Sequence, residues 1–309
     1  MKKRNIIADL HNHSTASDGE YSPFELVKKA SELGLKAVGL TDHDTLSGLE
    51  EALQAGAEFG IKVVPGVEVS LAFKHPIFVG TLHLLLYFSE NLLKNDTFKK
   101  LAKEIFIQGR GPSLIQARVK EINKVFGAQG DQRMLKYALN FEEVAAYSNN
   151  VTRRHFALAL KEKHGIKDRD QISKIIGNGS PAYIPSGIDM KLLKPLIDSF
   201  PVVPVFAHPA AGSFPGESHY KEVLPPVQTV ETLLPEFLDP DILGIKGIEV
   251  YYPGHTEQHR KLLLQWAEKY NLIVTGGSDC HDSVQRPLGI EGVTQEELEV
   301  LLMSIGSKS

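Results

Sequence analysis

Short apolar segments that each lead into histidine, aspartate or glutamate recur along this chain, and they restrict its fold more than any other feature. Residues 6–8 lead into His11 and His13, and residues 37–40 lead into His43. Segments with helical spacing of apolar residues lie between these runs, which indicates a βαβ order. Such an order is typical of a parallel sheet covered by helices, and polar residues at successive strand ends are typical of a (β/α) barrel active site.

The later segments repeat this arrangement. Their candidate ligands are Glu68 after residues 62–67, His83 at the start of residues 82–87, His208 after residues 202–207, and Asp279 with His281 after residues 272–278. Asp18, in a Ser/Gly-rich turn, adds a further carboxylate. An isolated pair such as His11 and His13 is more often two surface histidines in a polar loop. The recurrence along the chain is what favours a metal site.

The spacing and the types of these residues predict what kind of metal site it is. Side chains at i and i+2 of a strand share a face, so His11 and His13 point together, as do Asp279 and His281. Cys280 then points the other way, and we expect it to be a buried apolar residue rather than a ligand. Imidazoles and carboxylates without thiolates suit Zn, Mn or Fe. The candidates outnumber the ligands of one ion, which predicts two or three divalent ions sharing a carboxylate.

A change of pattern in the middle of the chain predicts its domain organisation. Strand signals fade from about residue 91 to residue 193, where helical periodicity predominates. We therefore predict a helical insertion domain of residues 91–193 within a barrel domain made of residues 1–90 and 194–309. A loop rich in proline and glycine, residues 214–226, follows His208 and contains His219.

Composition excludes several classes of protein. The 309 residues carry a formal net charge of −4, twelve histidines and a single cysteine. This charge argues against a surface that binds duplex nucleic acid, although a small nucleotide can bind in a locally positive pocket. A lone cysteine forms no internal disulfide, no leader pattern is visible, and no apolar run is long enough to span a bilayer. We expect a cytoplasmic enzyme without a membrane partner, and we leave its oligomeric state open.

Six motifs together resemble one known family. They are His11-Asn12-His13-Ser14 with Asp18, Thr41-Asp42-His43-Asp44, Gly66-Val67-Glu68-Val69-Ser70, His208-Pro209, Gly247-Ile248-Glu249-Val250 and Gly277-Ser278-Asp279-Cys280-His281. In this order they resemble the PHP (polymerase and histidinol phosphatase) superfamily, and within it the stand-alone phosphoesterases that carry a helical insertion. The resemblance implies an α/β fold, a distorted, TIM-like (β/α)7 barrel with a trinuclear site at its C-terminal face.

The resemblance also implies which residues bind each ion. It adds His155 from the insertion, within Thr152-Arg153-Arg154-His155. The implied groups are His11, His13, Glu68 and Asp279 for the first ion, Glu68, His83 and His155 for the second, and Asp18, His43, His208 and His281 for the third. Glu68, His208 and His281 are the expected catalytic residues. His75 remains an alternative to His83.

Other residues near the motifs have two interpretations. Arg153 is either a clamp for a substrate phosphate, because guanidinium matches phosphate geometry, or a solvated arginine at the start of a helix. Asp42 and Asp44 flank His43, and we expect them to orient metal-bound imidazoles.

These residues lead to three hypotheses about function. The first is hydrolysis of a phosphate monoester of a small nucleotide by metal-activated hydroxide, resembling the 3′,5′-nucleotide bisphosphate phosphatases, with removal of 5′-terminal nucleotides from short RNA as a related activity. The second is a hydrolase of C–N or C–O bonds, because amidohydrolase barrels share the His-x-His pattern. The third is a non-catalytic accessory module like the PHP domains attached to polymerases, which the full set of ligands argues against.

Overall fold

Seven strands form one sheet, in chain order, in the computed structural model, which describes residues 4–148, 150–177, 179–184, 186–216 and 220–306. The strands are β1 (Ala8–Asp9), β2 (Ala37–Leu40), β3 (Lys62–His75), β4 (Phe78–Tyr87), β5 (Val203–Phe206), β6 (Gly247–Tyr251) and β7 (Ile273–Gly276). The ends of the sheet meet, because Leu10 N–H donates to the Gly276 carbonyl at 3.2 Å and Asn12 forms a parallel bridge with Cys280. The predicted distorted seven-stranded α/β barrel is confirmed.

The β3–β4 hairpin is the main departure from the predicted strand pattern. β3 and β4 are antiparallel to each other, as are β4 and β5, whereas all the other neighbouring strands are parallel. Glu68 therefore lies inside β3 rather than at its end. The buried residues Val69, Leu71 and Phe73 extend the strand beyond Glu68, because alternate residues face the core.

This antiparallel pairing decides between His83 and His75. His83 pairs with Ser70, two residues from Glu68, because β4 runs back along β3. His75 is the last residue of β3, about 23 Å along the strand from Glu68 at the usual rise per residue. Its Nε2 lies 3.7 Å from Glu236 Oε1 instead. Only His83 of this pair reaches the candidate site.

Helices cover the outer face of the barrel and form most of the insertion. They are α1 (Pro23–Glu32), α2 (Leu49–Phe59), α3 (Asp96–Arg110), α4 (Pro112–Phe126), α5 (Phe141–Ala145), α6 (Arg153–Glu162), α7 (Arg169–Ile176), α8 (Met190–Ser199), α9 (Tyr220–Val223), α10 (Val227–Leu238), α11 (Glu257–Tyr270) and α12 (Gln295–Gly306). A capping box at Ser22 begins α1, because Ser22 Oγ accepts from Glu25 N–H and the Glu25 carboxylate accepts from Ser22 N–H. None of the described helices is long and apolar enough to cross a membrane.

Apolar packing divides the predicted insertion into two parts. Phe98 and Phe106 of α3 and Leu193 of α8 belong to the core that lies between the barrel and its helices. Ile115 and Phe126 instead belong to a separate cluster of buried residues that extends to Ala182. The boundaries predicted at residues 91 and 193 remain a prediction. His219 lies outside the described residues.

Candidate metal centre

Glu68 lies at the centre of the candidate site, and its two carboxylate oxygens face different histidines. It is 1% exposed. Oε1 lies 2.8 Å from Nδ1 of His83 and 3.0 Å from Nε2 of His208. The histidines with a ring nitrogen within 3.3 Å of Oε2 are His11, His13 and His43. One carboxylate therefore lies between two groups of imidazoles, as a bridging ligand would.

The first group matches the set expected for the first ion. His13 Nε2 lies 3.0 Å from Asp279 Oδ1 and 3.3 Å from His11 Nε2, and His11 Nε2 lies 3.6 Å from Asp279 Oδ1. Bonds of 2.0–2.1 Å to a tetrahedral ion separate its ligands by about 3.3–3.4 Å. Together with Glu68 Oε2, these atoms lie at the spacing that one ion requires.

His208 differs from the grouping implied by the family resemblance. It was expected with Asp18, but its Nε2 lies 3.0 Å from Glu68 Oε1 and 3.2 Å from Nδ1 of His83. The cause is the sheet order. β5 pairs directly with β4, and Ala207 N–H donates to the His83 carbonyl at 3.1 Å, so the residue after Ala207 lies beside His83.

His155 is the candidate ligand that the insertion contributes. Its side chain is buried, and its Nδ1 accepts a 2.9 Å hydrogen bond from the backbone N–H of Thr152, which leaves Nε2 available to a ligand. The charge of Asp18 acts on the His155 pKa. The expected grouping of His155 with Glu68 and His83 remains a prediction.

The third group surrounds Asp18. His281 Nε2 lies 3.4 Å from Asp18 Oδ1, and His13 Nδ1 lies 3.9 Å from the same oxygen. Together with His43, these residues present ligand atoms that all lie within 4.8 Å of one another. All of the predicted ligands other than His155 thus lie in three groups. They are His11, His13, Glu68 and Asp279; Glu68, His83 and His208; and His13, Asp18, His43 and His281.

Charges in the site keep its carboxylates ionised. Burial alone would raise the pKa of Glu68, but the charge of neighbouring histidines, His11 among them, outweighs burial and holds that pKa well below its usual range. The pKa of Asp18 and that of Asp279 are held well below their usual range by neighbouring cationic groups in the same way. Three anionic side chains therefore face the centre at neutral pH.

Several of the histidines are held neutral, the state in which imidazole binds a metal. Burial lowers the pKa of His43 well below its usual value, and the Arg110 charge adds to this effect. Burial also lowers the pKa of His83 and that of His155. His13 behaves differently, because hydrogen bonds to Asp279 and Glu68 outweigh its burial and raise its pKa to about 9. Without an ion, the anionic centre attracts a proton to His13.

Buried polar atoms without hydrogen-bond partners test whether the site suits metal ions. Among the described residues these atoms include His13 Nδ1, His43 Nδ1, His208 Nδ1, Asp18 Oδ1 and Asp279 Oδ1. An unsatisfied buried polar group is costly in free energy, and metal ions would satisfy the lone pairs of these atoms. The donors are imidazole nitrogens and carboxylate oxygens, which suit divalent transition metals. The residues present therefore fit bound divalent ions.

Residues to which the sequence assigned no role hold three of the candidate ligands in place. Glu249, fully buried in β6, has Oε1 3.0 Å from His11 Nδ1, and its Oε2 accepts a 2.8 Å bond from the His208 backbone N–H. Tyr252 O–H donates to Asp279 Oδ2 at 2.7 Å, and Arg286 contacts the same oxygen. The signal for Glu249 was a carboxylate within an apolar strand, whereas nothing in the sequence marked Arg286.

Asp42 and Asp44 do not orient imidazoles as expected. Asp42 accepts hydrogen bonds from Ser14 N–H at 2.7 Å, Ser14 Oγ at 2.6 Å and Ser17 Oγ at 2.5 Å, and so holds the loop after His13. Asp44 pairs with Arg110 of α3 and accepts from Ser70 N–H at 2.9 Å. Both aspartates therefore brace the backbone next to the ligands.

Three residues at the site have left-handed backbone conformations although none is glycine. The φ angles are 50° at Asp44, 29° at His208 and 49° at Asp279. Such conformations are uncommon outside glycine and cluster at functional sites. The barrel therefore carries local backbone strain where it presents two of its ligands.

Arg153 lies outside the ligand groups around Glu68. Residues at i and i+2 of a helix face different directions, so Arg153 does not share the face of His155. Its guanidinium lies 5.6 Å from the ring centroid of Tyr183, in a pocket of the insertion that Arg118 also lines. The side chain is half-buried rather than fully solvated, and its role as a clamp for a substrate phosphate remains a prediction.

Comparisons with known proteins agree with this geometry. A 5′-3′ exoribonuclease of Haemophilus influenzae is 29% identical over 88% of this chain and 89% of its own. A 3′,5′-nucleoside bisphosphate phosphatase of Chromobacterium violaceum is 27% identical over 88% of this chain and 86% of its own. A crystal structure from Bifidobacterium adolescentis, of a protein assigned as a metal-dependent phosphoesterase, superposes with a TM-score of 0.74, covers 98% of both chains and is 23% identical, which shows a shared fold.

A family model identifies the chain directly. The model described as the PHP domain matches residues 9–176, which is 168 of the 309 residues and includes most of the candidate ligands. The protein therefore belongs to the PHP domain family of metal-dependent phosphoesterases.

Proposed function

We propose that this protein hydrolyses a phosphate monoester of a small nucleotide, of the 3′,5′-nucleoside bisphosphate type, at a centre of three divalent ions. The observation that carries the proposal is the position of Glu68, whose two oxygens separate five histidines into two groups. A bridging carboxylate surrounded by imidazoles is the arrangement expected of a multi-ion hydrolase.

The geometry supports a specific assignment of ligands. The first ion would be held by His11, His13, Glu68 and Asp279, the second by Glu68, His83 and His208, and the third by Asp18, His43, His155 and His281. Bound divalent ions of the Zn, Mn or Fe type would supply Lewis acidity towards the phosphoryl oxygens and lower the pKa of water. Three carboxylates only partly neutralise three such ions, so the site favours an anionic substrate.

The chain's own residues orient this centre and cover it. Glu249 holds His11 and the His208 backbone, and Tyr252 with Arg286 fixes one oxygen of Asp279 so that the other faces the centre. Asn150 donates to the His43 carbonyl, and Ser148 Oγ donates to the Ser17 carbonyl at 3.4 Å. These contacts bring the insertion against the loops that carry the ligands, where it would exclude water from one side.

This cover favours a small substrate over a long polymer. Removal of 5′-terminal nucleotides from short RNA is the second candidate, and the relative from Haemophilus influenzae carries that name. A loop that contacts both the His43 and the Ser17 carbonyls lies beside the candidate ligands, where it would narrow the entrance to the site. We also propose that the protein acts in the cytoplasm, where nucleotides are abundant and the lone Cys280 stays reduced.

A substrate panel tests these functions. The metal-loaded protein would be incubated with a nucleoside 3′,5′-bisphosphate, a short 5′-phosphorylated RNA, and a set of amides and lactones. We expect the protein to release inorganic phosphate from the bisphosphate, with a higher kcat/KM than for any other substrate of the panel. Release of nucleoside monophosphates from the RNA at a higher kcat/KM would select the exonuclease, and cleavage of amides or lactones alone would select the amidohydrolase class.

A further inference from the structure

The loop of residues 207–226, which joins β5 to α10, is closed at its base. A Cβ atom at Gly212 would clash with the carbonyl oxygen of Pro225, so glycine lets the two arms of the loop meet. Val227 N–H, at the start of α10, donates a 2.8 Å hydrogen bond to Ser213 Oγ. Surface loops whose ends lie close together are frequently functional. The closure allows this loop to hold a side chain in a fixed position.

Aromatic rings pack the loop against the candidate metal centre. The Phe214 ring stacks on that of Tyr252 with centroids 5.7 Å apart, and it meets the Tyr220 ring edge-on at the same distance. Both arrangements are favourable for aromatic pairs. These side chains belong to a small apolar cluster that is separate from the barrel core. The ring centroids of Tyr252 and Tyr220 lie 5.2 Å and 6.0 Å from that of His208, so the cluster lies beside a candidate ligand.

The hydroxyl group of Tyr252 connects Tyr220 with another candidate ligand. Its oxygen lies 2.7 Å from Asp279 Oδ2, 2.8 Å from Arg286 Nη1 and 3.5 Å from the Tyr220 oxygen. An ionised carboxylate only accepts hydrogen bonds and a guanidinium only donates them, so the single proton of Tyr252 goes to Asp279. The proton that lies between the two tyrosine oxygens is then that of Tyr220. Tyr252 therefore accepts from Tyr220 and donates to Asp279.

The two carboxylate oxygens of Asp279 have different neighbours. Oδ2 contacts Tyr252 and Arg286, whereas Oδ1 lies 3.0 Å from His13 Nε2 and 3.6 Å from His11 Nε2. Hydrogen bonds on the outer oxygen of a ligating carboxylate fix the direction of the inner one. Hydrogen bonds in a chain also strengthen one another, so a donor to Tyr252 strengthens its bond to Asp279.

We propose that Tyr220 is a positioning residue for the first ion. It donates to Tyr252, and Tyr252 in turn holds Asp279 with Oδ1 directed at that ion. The inference rests on the assignment of Asp279 to the first ion under the proposed function. It gives the loop that follows His208 a role, which is to set how tightly the first ion binds without touching it.

The affinity of each metal-binding step tests this role. Co²⁺ buffered by a chelator is titrated into the metal-free full-length protein, and the bound metal per chain gives the affinity of each step. Asp279→Asn identifies the step that depends on Asp279, because an uncharged amide is a weak ligand. Tyr220→Phe and Tyr252→Phe each remove one hydroxyl group and keep the ring. Tyr270→Phe is the matched control, because it removes the hydroxyl group of a tyrosine whose ring lies beside Lys269 on α11.

We expect Tyr220→Phe to weaken the step that depends on Asp279 by roughly 3–10-fold, the usual effect of losing one hydrogen bond. The other steps should keep their affinity, which also shows that the variant has folded. Tyr252→Phe should weaken the same step by roughly 10–100-fold, because it removes the direct contact. The double variant should bind this ion like Tyr252→Phe alone, because Tyr220 acts through Tyr252. Tyr270→Phe should match the wild type.

Three results would overturn the positioning role of Tyr220. They are wild-type affinity of Tyr220→Phe at every step, equal weakening of every step, and additive effects of Tyr220→Phe and Tyr252→Phe. If Asp279→Asn weakens one step and Tyr220→Phe does not, the assignment of Asp279 stands and the positioning role fails. If Asp279→Asn weakens no step, the assignment and the role fail together.

The measurement does not depend on turnover. A protein that shows the expected pattern of Co²⁺ binding but releases no phosphate from any ester would keep the positioning role and lose the proposed phosphatase function. A protein that releases phosphate although Tyr220→Phe binds Co²⁺ like the wild type would keep the function and lose the role.

Discussion

Oε1 of Glu249 lies 3.0 Å from Nδ1 of His11, and both side chains are fully buried. The same carboxylate accepts a hydrogen bond from the His208 backbone, so one residue orients ligands from β1 and β5. A carboxylate behind a metal-binding imidazole sets its tautomer and raises its basicity, and losing it usually costs about 10–100-fold in metal affinity or activity.

We therefore predict that Glu249→Gln weakens metal binding at His11 and lowers kcat by about 10–100-fold. Elemental analysis and turnover on one phosphate ester measure both effects. Glu58→Gln, an exposed glutamate on α2, is the control. Full metal content with normal kcat would show that Glu249 only supports the backbone.

Glu68→Gln should abolish activity while the fold persists. An amide carries no charge and cannot bridge two ions, so we expect loss of more than about 100-fold in kcat together with loss of bound metal. The apolar strands supply most of the stability, so circular dichroism and thermal unfolding of the metal-free variant should match the metal-free wild type. Turnover close to that of the wild type would exclude Glu68 as the bridging ligand.

Metal binding should release protons. The pKa of His13 is about 9 in the ion-free protein, so His13 is protonated at pH 7 and must lose its proton to bind an ion. Apparent affinity should therefore rise between pH 6 and pH 8 by about tenfold per pH unit for each displaced proton. Calorimetry in two buffers of different ionisation enthalpy measures how many protons the protein releases when it binds the metal. An affinity that does not change between pH 6 and pH 8 would contradict this.

Arg110→Ala should destabilise the protein strongly. Arg110, at the end of α3, pairs with the buried Asp44 and donates to Ser70 Oγ at 2.6 Å. Removing one partner of a buried pair leaves an uncompensated charge and costs about 3–5 kcal/mol. Denaturant unfolding of the metal-free protein measures this loss.

The double variant Arg110→Ala with Asp44→Asn should recover part of that stability, because an amide needs no counter-charge. Lys103→Ala, which removes an exposed cation of α3, should change the free energy of unfolding by less than about 0.5 kcal/mol. A double variant as unstable as Arg110→Ala alone would show that the arginine acts through packing rather than charge.

His155→Ala should lose bound metal and activity together. His155 is the candidate ligand from the insertion, and we expect the ion nearest Asp18 to bind about 10–100-fold more weakly without it. His75→Ala is the control, because His75 lies at the tip of the β3–β4 hairpin. If His155→Ala kept every ion, the insertion would serve only as a cover.

The sequence predicted the barrel because its signals are local. Alternating apolar strands and helices can be recognised within about ten residues, and His11 with His13 share a face by strand geometry alone. The β3–β4 hairpin was missed because the continuation of β3 beyond Glu68 depends on pairing with β4. His208 was placed in the wrong group because its position follows from the order of strands in the sheet.

The contacts of Arg110, Arg286 and Arg118 could not be predicted from the sequence. Arg110 ends an amphipathic helix, where a solvated cation is usual, and its partner Asp44 lies 66 residues earlier. Arg286 lies in a loop without a recognisable motif. Arg118 lies over the Phe156 ring only when α4 and α6 come together in the tertiary structure, which no local pattern encodes.

The bridge between Asn12 and Cys280 has a consequence for how the protein is made. It brings His11 and His13 next to Asp279 and His281. Asp279 N–H donates to the His11 carbonyl at 2.7 Å. A ribosome adding about 5–20 residues per second needs roughly 13–54 s to travel from one pair to the other. Throughout that interval the nascent chain exposes His11 and His13 without Asp279, the carboxylate that we propose as the third side chain of the first ion's ligand set. Full metal loading is therefore a post-translational event, and a chain that stalls before Asp279 lacks both the closure of the barrel and two of its ligands.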